Sequence, residues 1–428
     1  MIKRFIKNYK VNKISDFKSK SLKWAEQFDH FEYLNPNNFQ YPNDPFIEVL
    51  AVGANDILTC KNDHNAFEAL KRFKNSKKDW LFGYFSYDLK NYLEDLKSEN
   101  PDRIEFSDLM FFQPTHLLFF NDDEIEIQSL TNNNDEVFEI ISDTPLVSEN
   151  NDEKFEIKSA VSKENYIQTV EKLKNHILEG DIYETNYCQE FYGENVDINP
   201  ISKYLELNAV SPTPFSVMLK DCDKFLMGAS PERYIKRVTN KCISQPIKGT
   251  IKRGLNLEED EMLKHALLHD PKERAENLMI VDLVRNDLAR VSTPGTVHVD
   301  ELFGIYSFKQ VHQMISTISS EVSNVTDSID IIKNTFPMGS MTGAPKISMM
   351  NLAEKYETTK RGLYSGAVGY FTPTDDFDFN VVIRSILYNQ TRKSLSFMVG
   401  SAITFDSDPA KEYEECLLKA KAIIKILN

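Results

Sequence analysis

Strand-like segments that follow one another without intervening helices are the feature that most constrains how this 428-residue chain folds. Residues 215–245 alternate in the manner of strands, and further strand-like segments cover about 363–372, 380–388 and 394–405. Antiparallel strands can be joined by short turns, whereas parallel strands need long crossovers, usually helices. The chain shows no strict alternation of strand and helix and no internal repeat. It therefore predicts an α+β fold in which helices pack outside antiparallel sheets.

Helical segments with clear ends accompany these strands. Ser162 is a candidate N-cap for a helix that ends at Gly180. Apolar residues recur with helical spacing over residues 257–291, and a last helix is predicted over about 409–427.

The composition changes near the middle of the first half. Residues 1–120 indicate a mixed α/β unit, whereas residues 121–157 are polar and acidic and indicate a hairpin followed by a linker. We therefore predict an N-terminal region over residues 1–155 and a second region over residues 156–428.

Charge and cysteine content exclude several classes of function. The net charge of −15, from 65 acidic and 50 basic residues, argues against nucleic-acid binding, which needs basic patches. The five cysteines are odd in number and form no C-x-x-C pair, which disfavours a disulfide framework and favours a reducing cytoplasm. Because no apolar run approaches the ~18 residues of a membrane span, and no signal peptide is evident, we predict no membrane association.

Lys248 lies in a segment that constrains where its amine can point. Pro246 fixes its own backbone angle, and Gly249 allows close backbone approach. In a pocket, desolvation would lower the pKa of the amine and make it a nucleophile. On these residues alone, a solvated loop lysine remains an equally good interpretation.

Two pairs of glutamates have helical i,i+3 spacing. Glu273 and Glu276 form one pair, and Glu412 and Glu415 form the other. Since Mg²⁺ prefers carboxylate oxygens, two such helices could build a magnesium site. Solvated helix faces are the alternative interpretation of the spacing alone.

Two further charged residues are candidates for chemistry. Glu232 could act as a general acid if burial raises its pKa, and a salt bridge to Arg233 is the alternative. Arg384 follows a strand-like run and could bind a carboxylate bidentately, or form a structural salt bridge.

Taken together, these segments resemble the chorismate-utilising enzymes, a family that includes anthranilate synthase component I, aminodeoxychorismate synthase component I, isochorismate synthase and salicylate synthase. The resemblance covers about residues 160–425 and implies that family's fold, two antiparallel β-sheets packed face to face with helices outside. The segments that carry it, in chain order, are 180–183, 230–233, 246–250, 276–288, 339–346, 362–366 and 406–415.

The resemblance also implies a role for each matched residue. Glu276 and Glu415 match direct Mg²⁺ ligands, and Glu273 and Glu412 match residues that support the ion through water. Glu232 matches the acid that protonates the departing C4 hydroxyl of chorismate. The positions matched to chorismate binding are Tyr364 and Arg384 at the pyruvyl carboxylate, Gly400, Ser401, Ala402 and Lys419 at the ring carboxylate, and Thr250, His312 and Thr342 elsewhere in the pocket.

Two positions distinguish members of the family. Members that aminate C4 usually have lysine at the place of Lys248, where it attacks C2 of chorismate, whereas anthranilate-forming members usually have alanine. Isochorismate- and salicylate-forming members have lysine at the place of Glu184, and many amine-transferring members have glutamine. The resemblance therefore implies amination at C4, giving 4-amino-4-deoxychorismate on the route to 4-aminobenzoate and folate.

A partner follows from the same resemblance. None of the five cysteines lies in a Gly-rich nucleophile elbow, so ammonia is expected from a separate glutamine amidotransferase subunit. Anthranilate formation is the closest alternative, and isochorismate or salicylate formation is less favoured. A non-catalytic chorismate-binding subunit is a third alternative. It predicts that the acidic residues and the lysine of the site are lost, whereas this chain retains Glu232, Lys248, Glu276 and Glu415.

Overall fold

The computed structural model describes residues 3–147 and 155–427, which contain twenty strands and ten α-helices. The strands are β1 (Phe5–Lys10), β2 (His30–Asn35), β3 (Val49–Cys60), β4 (Leu81–Phe85), β5 (Leu109–Asn121), β6 (Glu124–Ser129), β7 (Lys158–Ser159), β8 (Glu184–Glu194), β9 (Phe215–Asp221), β10 (Lys224–Ser230), β11 (Arg233–Val238), β12 (Lys241–Gln245), β13 (Ile247–Lys252), β14 (His298–Ser307), β15 (Val311–Glu321), β16 (Gly343–Ala344), β17 (Ala367–Phe371), β18 (Phe377–Asn380), β19 (Ser385–Asn389) and β20 (Ser394–Ile403). The helices are α1 (Ile14–Ala25), α2 (Ala66–Lys77), α3 (Asn134–Asp143), α4 (Lys163–Leu178), α5 (Pro200–Val210), α6 (Leu257–His269), α7 (Pro271–Ala289), α8 (Ser328–Thr335), α9 (Lys346–Tyr356) and α10 (Pro409–Leu427), with 3₁₀ turns at Tyr87–Tyr92 and Gly339–Met341.

Strand pairing is antiparallel throughout the described residues, as predicted. One half of the sheet runs β8–β20–β19–β10–β9–β2–β3–β5. The other half runs β5–β4–β17–β18–β11–β12–β15–β14. Strand β5 belongs to both halves, because β3 pairs along one of its edges and β4 along the other.

The two halves pack face to face. Leu34, Val217 and Leu226 of the first half bury against Phe82 and Ile315 of the second. Helices α1, α3, α4, α5 and α10 cover the outer face of the first half, and α2, α7 and α8 cover that of the second. The predicted α+β fold is therefore confirmed, with the addition that β5 joins the two layers into one continuous sheet.

Strands from both sides of the predicted boundary at residue 155 pair with each other. Strand β2 pairs with β9, and β4 pairs with β17 along its whole length. The acidic segment 149–153 lies outside the described residues, so the division into 1–155 and 156–428 stays a prediction.

Helix boundaries follow the sequence signals at some places and not at others. Helix α4 begins after Ser162, whose hydroxyl accepts a hydrogen bond from the Asn165 amide at 3.2 Å, as the N-cap prediction requires. Within 121–157, by contrast, helix α3 replaces part of the predicted linker. Its apolar residues Val137 and Ile141 bury in the core against α1, although polar residues dominate the rest of its surface.

The state of the cysteines and the character of the helices are two further properties of the described residues. All five cysteines are free thiols, and four of them are buried. Burial raises the pKa of Cys242 to about 12, so this thiol stays protonated and packs as a small apolar side chain. None of the described helices combines the length and the apolar character that a membrane span requires.

Candidate active site

A cavity of about 240 Å³ lies between β13, β20, α7, α10 and the turn at Gly339–Met341. Fifteen residues were predicted to form the site, and twelve of them line this cavity. These twelve are Glu232, Lys248, Thr250, Glu273, Glu276, Tyr364, Arg384, Gly400, Ala402, Glu412, Glu415 and Lys419.

Lys248 is the second residue of β13 and is followed by Gly249. Gly249 has φ +92°, and a Cβ there would lie 3.1 Å from the Glu273 carboxylate, so the backbone approaches Glu273 closely. The Lys248 ammonium donates a hydrogen bond of 2.8 Å to Glu184 Oε1. The solvated-loop interpretation is therefore wrong for this lysine.

The expectation that the pocket lowers the pKa of Lys248 is also wrong. Burial alone lowers this pKa, but the carboxylates of Glu184, Glu276 and Glu232 outweigh burial and raise the pKa above its ordinary value. Lysine at this place is therefore an ammonium ion at neutral pH, and it needs a proton acceptor before it can act as a nucleophile.

Glu232 is buried beside the cavity, in the turn between β10 and β11. Its neighbour Arg233 forms a bidentate pair with Asp378, at 2.9 and 3.0 Å, rather than with Glu232. Burial raises the pKa of Glu232 to about 7, and a hydrogen bond from Ser340 and the charge of Lys248 only partly offset it. Glu232 can therefore carry a proton near neutral pH, as a general acid requires.

The Arg233–Asp378 pair holds this turn in place, and both side chains are almost fully inaccessible to solvent. We expect Asp378→Asn to lower the free energy of unfolding by about 3 kcal/mol, because it leaves a buried guanidinium without its counter-charge. Urea unfolding measures the effect. As the control, Glu99→Gln in the exposed Lys97–Glu99 pair should change it by less than about 0.5 kcal/mol. Equal effects of the two substitutions would contradict the expectation.

Four carboxylates from two helices meet at one wall of the cavity. Glu273 and Glu276 of α7 face Glu412 and Glu415 of α10. Lys272 lies between the helices, with Nζ 3.1 Å from Glu412 Oε1 and 3.6 Å from Glu276 Oε1. Burial raises the pKa of Glu276 to about 7, and its Oε1 accepts no hydrogen bond within the described residues. An acidic cluster with a buried oxygen still available fits the coordination chemistry of a hard divalent cation.

Arg384 and Lys419 are two of the basic side chains that line the cavity. Arg384 lies between β18 and β19 with φ +51°, a left-handed conformation uncommon outside glycine. Burial lowers the pKa of Arg384 to about 10, so the guanidinium stays charged, and it donates to no side chain in residues 3–147 or 155–427. Lys419 donates hydrogen bonds to Glu415 at 2.8 Å and to the Gly400 carbonyl at 2.9 Å. The cavity can therefore accept an anion at Arg384 without breaking an existing side-chain pair.

Small residues of β20 form another part of the wall. Gly400 pairs with Cys188 of β8, and a Cβ at Gly400 would lie 2.8 Å from both Asn186 Oδ1 and Cys188 Sγ. Ser401 is not part of the cavity lining, but its hydroxyl donates to Glu412, which is. Glycine is therefore required here by close packing, and Ser401 fixes the orientation of one member of the acidic cluster.

The other two predicted residues also lie outside the cavity lining. His312 is fully buried, and its ring nitrogens contact Asp260 and Ser307 at 2.9 Å each. The Thr342 hydroxyl donates to the carbonyls of Met338 and Gly339. Both side chains are thus engaged in local structural contacts.

Gln313, which sequence reasoning missed, faces the cavity instead of His312. Neighbouring residues of a strand point to opposite faces, so only one of the two can reach the cavity from β15. Gln313 Nε2 donates to Thr250 Oγ1 at 3.4 Å, while the buried Oε1 of Gln313 has no hydrogen-bond partner within the described residues. The alternation of β15 is the signal that could have identified it. Asn186, Lys272 and Ser340 are among the other polar lining residues that were missed.

Comparison with known proteins gives several close relatives. The probable chloroplastic aminodeoxychorismate synthase of Oryza sativa is 41% identical over 270 residues, which are 62% of this chain and only 30% of that protein. Aminodeoxychorismate synthase component 1 of Bacillus subtilis is 32% identical over 81% of this chain and 76% of its own length. Anthranilate synthase component 1 of Aquifex aeolicus is also 32% identical, over 81% of this chain and 74% of its own length.

The fold has solved counterparts as well. The crystal structure of anthranilate synthase component I from Streptococcus pneumoniae superposes with a TM-score of 0.78 at 24% identity, covering 92% of this chain and 96% of that one. The family model described as chorismate binding enzyme matches residues 23–425. Since that match spans nearly the whole chain, the protein belongs to the family of chorismate binding enzymes.

Proposed function

We propose that this chain is the chorismate-aminating component of an aminodeoxychorismate synthase, which converts chorismate and ammonia to 4-amino-4-deoxychorismate. The observation that carries the proposal is the Lys248 amine, which lies in the same cavity as the protonatable Glu232. The relatives of that name in Oryza sativa and Bacillus subtilis support it.

Charged groups of the cavity suit a substrate with two carboxylates. Arg384 and Tyr364, which both line the cavity, would bind the pyruvyl carboxylate, because the Arg384 guanidinium donates to no side chain in the described residues. Lys419 and the β20 backbone at Gly400 and Ala402 would lie against the ring carboxylate. Held in this way, C2 would face Lys248 and the C4 hydroxyl would face Glu232.

The reaction would use these two residues in two displacements. The neutral Lys248 amine forms a bond to C2 as the C4–oxygen bond breaks, and Glu232 gives its proton to the hydroxyl, which leaves as water. Ammonia then forms a bond to C4 while the C2–nitrogen bond breaks and its electron pair returns to Lys248. The proton released by the new C4 ammonium group restores Glu232.

Mg²⁺ would be held by Glu276 and Glu415 directly and by Glu273 and Glu412 through water. The ion would neutralise the acidic cluster and the ring carboxylate of the substrate. The buried Oε1 of Glu276, which accepts no hydrogen bond in the described residues, supports this assignment.

A glutamine amidotransferase subunit would supply the ammonia, and the product would lead to 4-aminobenzoate and folate. Anthranilate formation is the second candidate, because the Aquifex aeolicus relative of that name is as similar as the Bacillus subtilis one. The test is incubation with chorismate, Mg²⁺ and ammonium. Liquid chromatography with mass spectrometry should detect 4-amino-4-deoxychorismate. Fluorescent anthranilate as the main product, formed without an added lyase, would refute the proposal.

The pH dependence of turnover should reflect the protonation of Glu232. Its pKa is raised to about 7, so the acid form is present below that pH and is lost above it. With ammonia kept saturating, we expect kcat/KM for chorismate to fall as the pH rises through about 7, since this parameter reports the free enzyme. Glu232→Gln should lower the rate and remove this limb of the profile. An unchanged limb in the variant would assign it to another group.

A further inference from the structure

We propose that Glu184 accepts the proton of Lys248 and so generates the amine that attacks C2, an inference that rests on the proposed function. Glu184 would thus be a proton-transfer residue for the reacting nitrogen. Relatives with glutamine at this place would lack the carboxylate that this chain provides.

The contact between the two side chains carries the inference. Glu184 is the first residue of β8, and its side chain is only 1% exposed. One oxygen, Oε1, accepts the 2.8 Å hydrogen bond from Lys248 Nζ. The other, Oε2, is buried without a hydrogen-bond partner in the described residues. A carboxylate with unfilled acceptor capacity next to an ammonium ion is placed to take its proton.

The backbone around Glu184 fixes this geometry. Strand β16 pairs with the start of β8, so that Ala344 is the partner of Glu184. Gly343 has φ +148°, and a Cβ there would lie 2.2 Å from the Glu184 carbonyl oxygen. The segment 339–346 therefore holds the Glu184 main chain closely, which limits how far its carboxylate can move from Lys248.

The other carboxylates near Lys248 are committed to different tasks. Glu232 must itself hold a proton for the leaving hydroxyl, and Glu276 belongs to the acidic cluster of α7 and α10. Both raise the Lys248 pKa through their charge, yet the hydrogen bond of the ammonium is made to Glu184. Glu184 is thus the acceptor that a proton can reach directly.

The protons balance over one turnover. Glu184 takes one proton from the Lys248 ammonium, and the neutral amine bonds to C2 while Glu232 protonates the leaving hydroxyl. After ammonia bonds to C4, Lys248 leaves C2 as a neutral amine and recovers its proton from Glu184. No oxidant, reductant or further reactant is needed.

The experiment measures the covalent adduct rather than the product. The protein is mixed with chorismate and Mg²⁺ without ammonia, and the reaction is quenched at intervals. Mass spectrometry then measures the intact mass of the protein. Wild-type protein should gain the mass of chorismate minus water at Lys248. Glu184→Gln keeps the size and a hydrogen-bonding oxygen but cannot take a proton, and it should form the adduct on the order of 100-fold more slowly.

Two further variants separate proton transfer from a structural role. Glu184→Asp keeps a carboxylate and should recover much of the rate lost in Glu184→Gln. Glu190→Gln is the matched control, because Glu190 is another buried carboxylate of β8, paired with Arg103 at 3.1 Å. It should form the adduct at the wild-type rate. Chorismate affinity, measured by calorimetry, should be the same in wild-type protein and Glu184→Gln.

The outcomes distinguish this inference from the proposed function. If wild-type protein forms the adduct and Glu184→Gln forms it as fast or faster, the role of Glu184 is refuted while the lysine route stands. If wild-type protein aminates chorismate without any adduct, the lysine route fails and this inference fails with it. A slow adduct in Glu184→Gln, with recovery in Glu184→Asp, supports both.

Discussion

Lys248→Ala is expected to lower the kcat for 4-amino-4-deoxychorismate by at least about 1000-fold, equivalent to about 4 kcal/mol of transition-state stabilisation. The amine is the group proposed to bond to C2, and no other lysine nitrogen contacts both Glu184 and the cavity in the described residues. Product formation at saturating ammonium measures the loss. Calorimetry should show that the variant still binds chorismate, because Arg384 and Lys419 are intact.

Lys252→Ala is the matched control for this variant. Lys252 lies on the same strand, β13, but is exposed and outside the cavity lining, so its removal should leave turnover unchanged. Full amination activity in Lys248→Ala would remove the lysine from the mechanism. Because anthranilate-forming members of the family usually have alanine here, we also expect the variant to release some anthranilate, and a variant that makes none would refute that expectation.

Glu276→Gln and Glu415→Gln are each expected to weaken Mg²⁺ binding by more than about 100-fold. Mutation of a residue that only hydrogen-bonds to a metal ligand typically lowers metal affinity by roughly 10- to 100-fold, and loss of a direct ligand costs more. Isothermal titration of the purified protein with Mg²⁺ measures the effect without turnover. Activity should fall in parallel, and high Mg²⁺ should restore it in part.

Glu414→Gln provides the control for the metal site. Glu414 is the immediate neighbour of Glu415 on α10, but it is exposed and pairs with Lys163 at 2.7 Å. Mg²⁺ affinity and activity should stay at wild-type values in this variant. Equal losses in Glu414→Gln and Glu415→Gln would indicate a general effect of charge on α10 rather than a metal ligand.

Local signals in the sequence predicted the elements well, because they depend on a few neighbouring residues. The Ser162 cap is one such signal, and the consecutive strands over 215–245 are another. Helix α3 was missed, since its short apolar stripe at Val137 and Ile141 lies in an otherwise polar segment. Whether that stripe is buried depends on α1, which is more than a hundred residues away in the chain.

Site residues were harder to predict, because their state depends on neighbours from distant strands and helices. The direction of the Lys248 pKa could not be read from its own segment, since Glu184 and Glu276 come from β8 and α7. The choice between His312 and Gln313 depends on which face of β15 meets the cavity. A shift of one residue along β15 would exchange the two faces of the strand and so exchange His312 and Gln313.

The shared strand β5 and the pairing of β4 with β17 affect how this protein folds while it is being synthesised. Strand β4 is made early, but its partner at Ala367–Phe371 leaves the ribosome almost three hundred residues later. Contacts so distant in sequence raise the contact order, which slows folding. Until they form, an open strand edge is available for pairing with other chains. The arrangement that unites the two layers thus leaves one edge of β4 unpaired for much of synthesis, which exposes the nascent chain to aggregation.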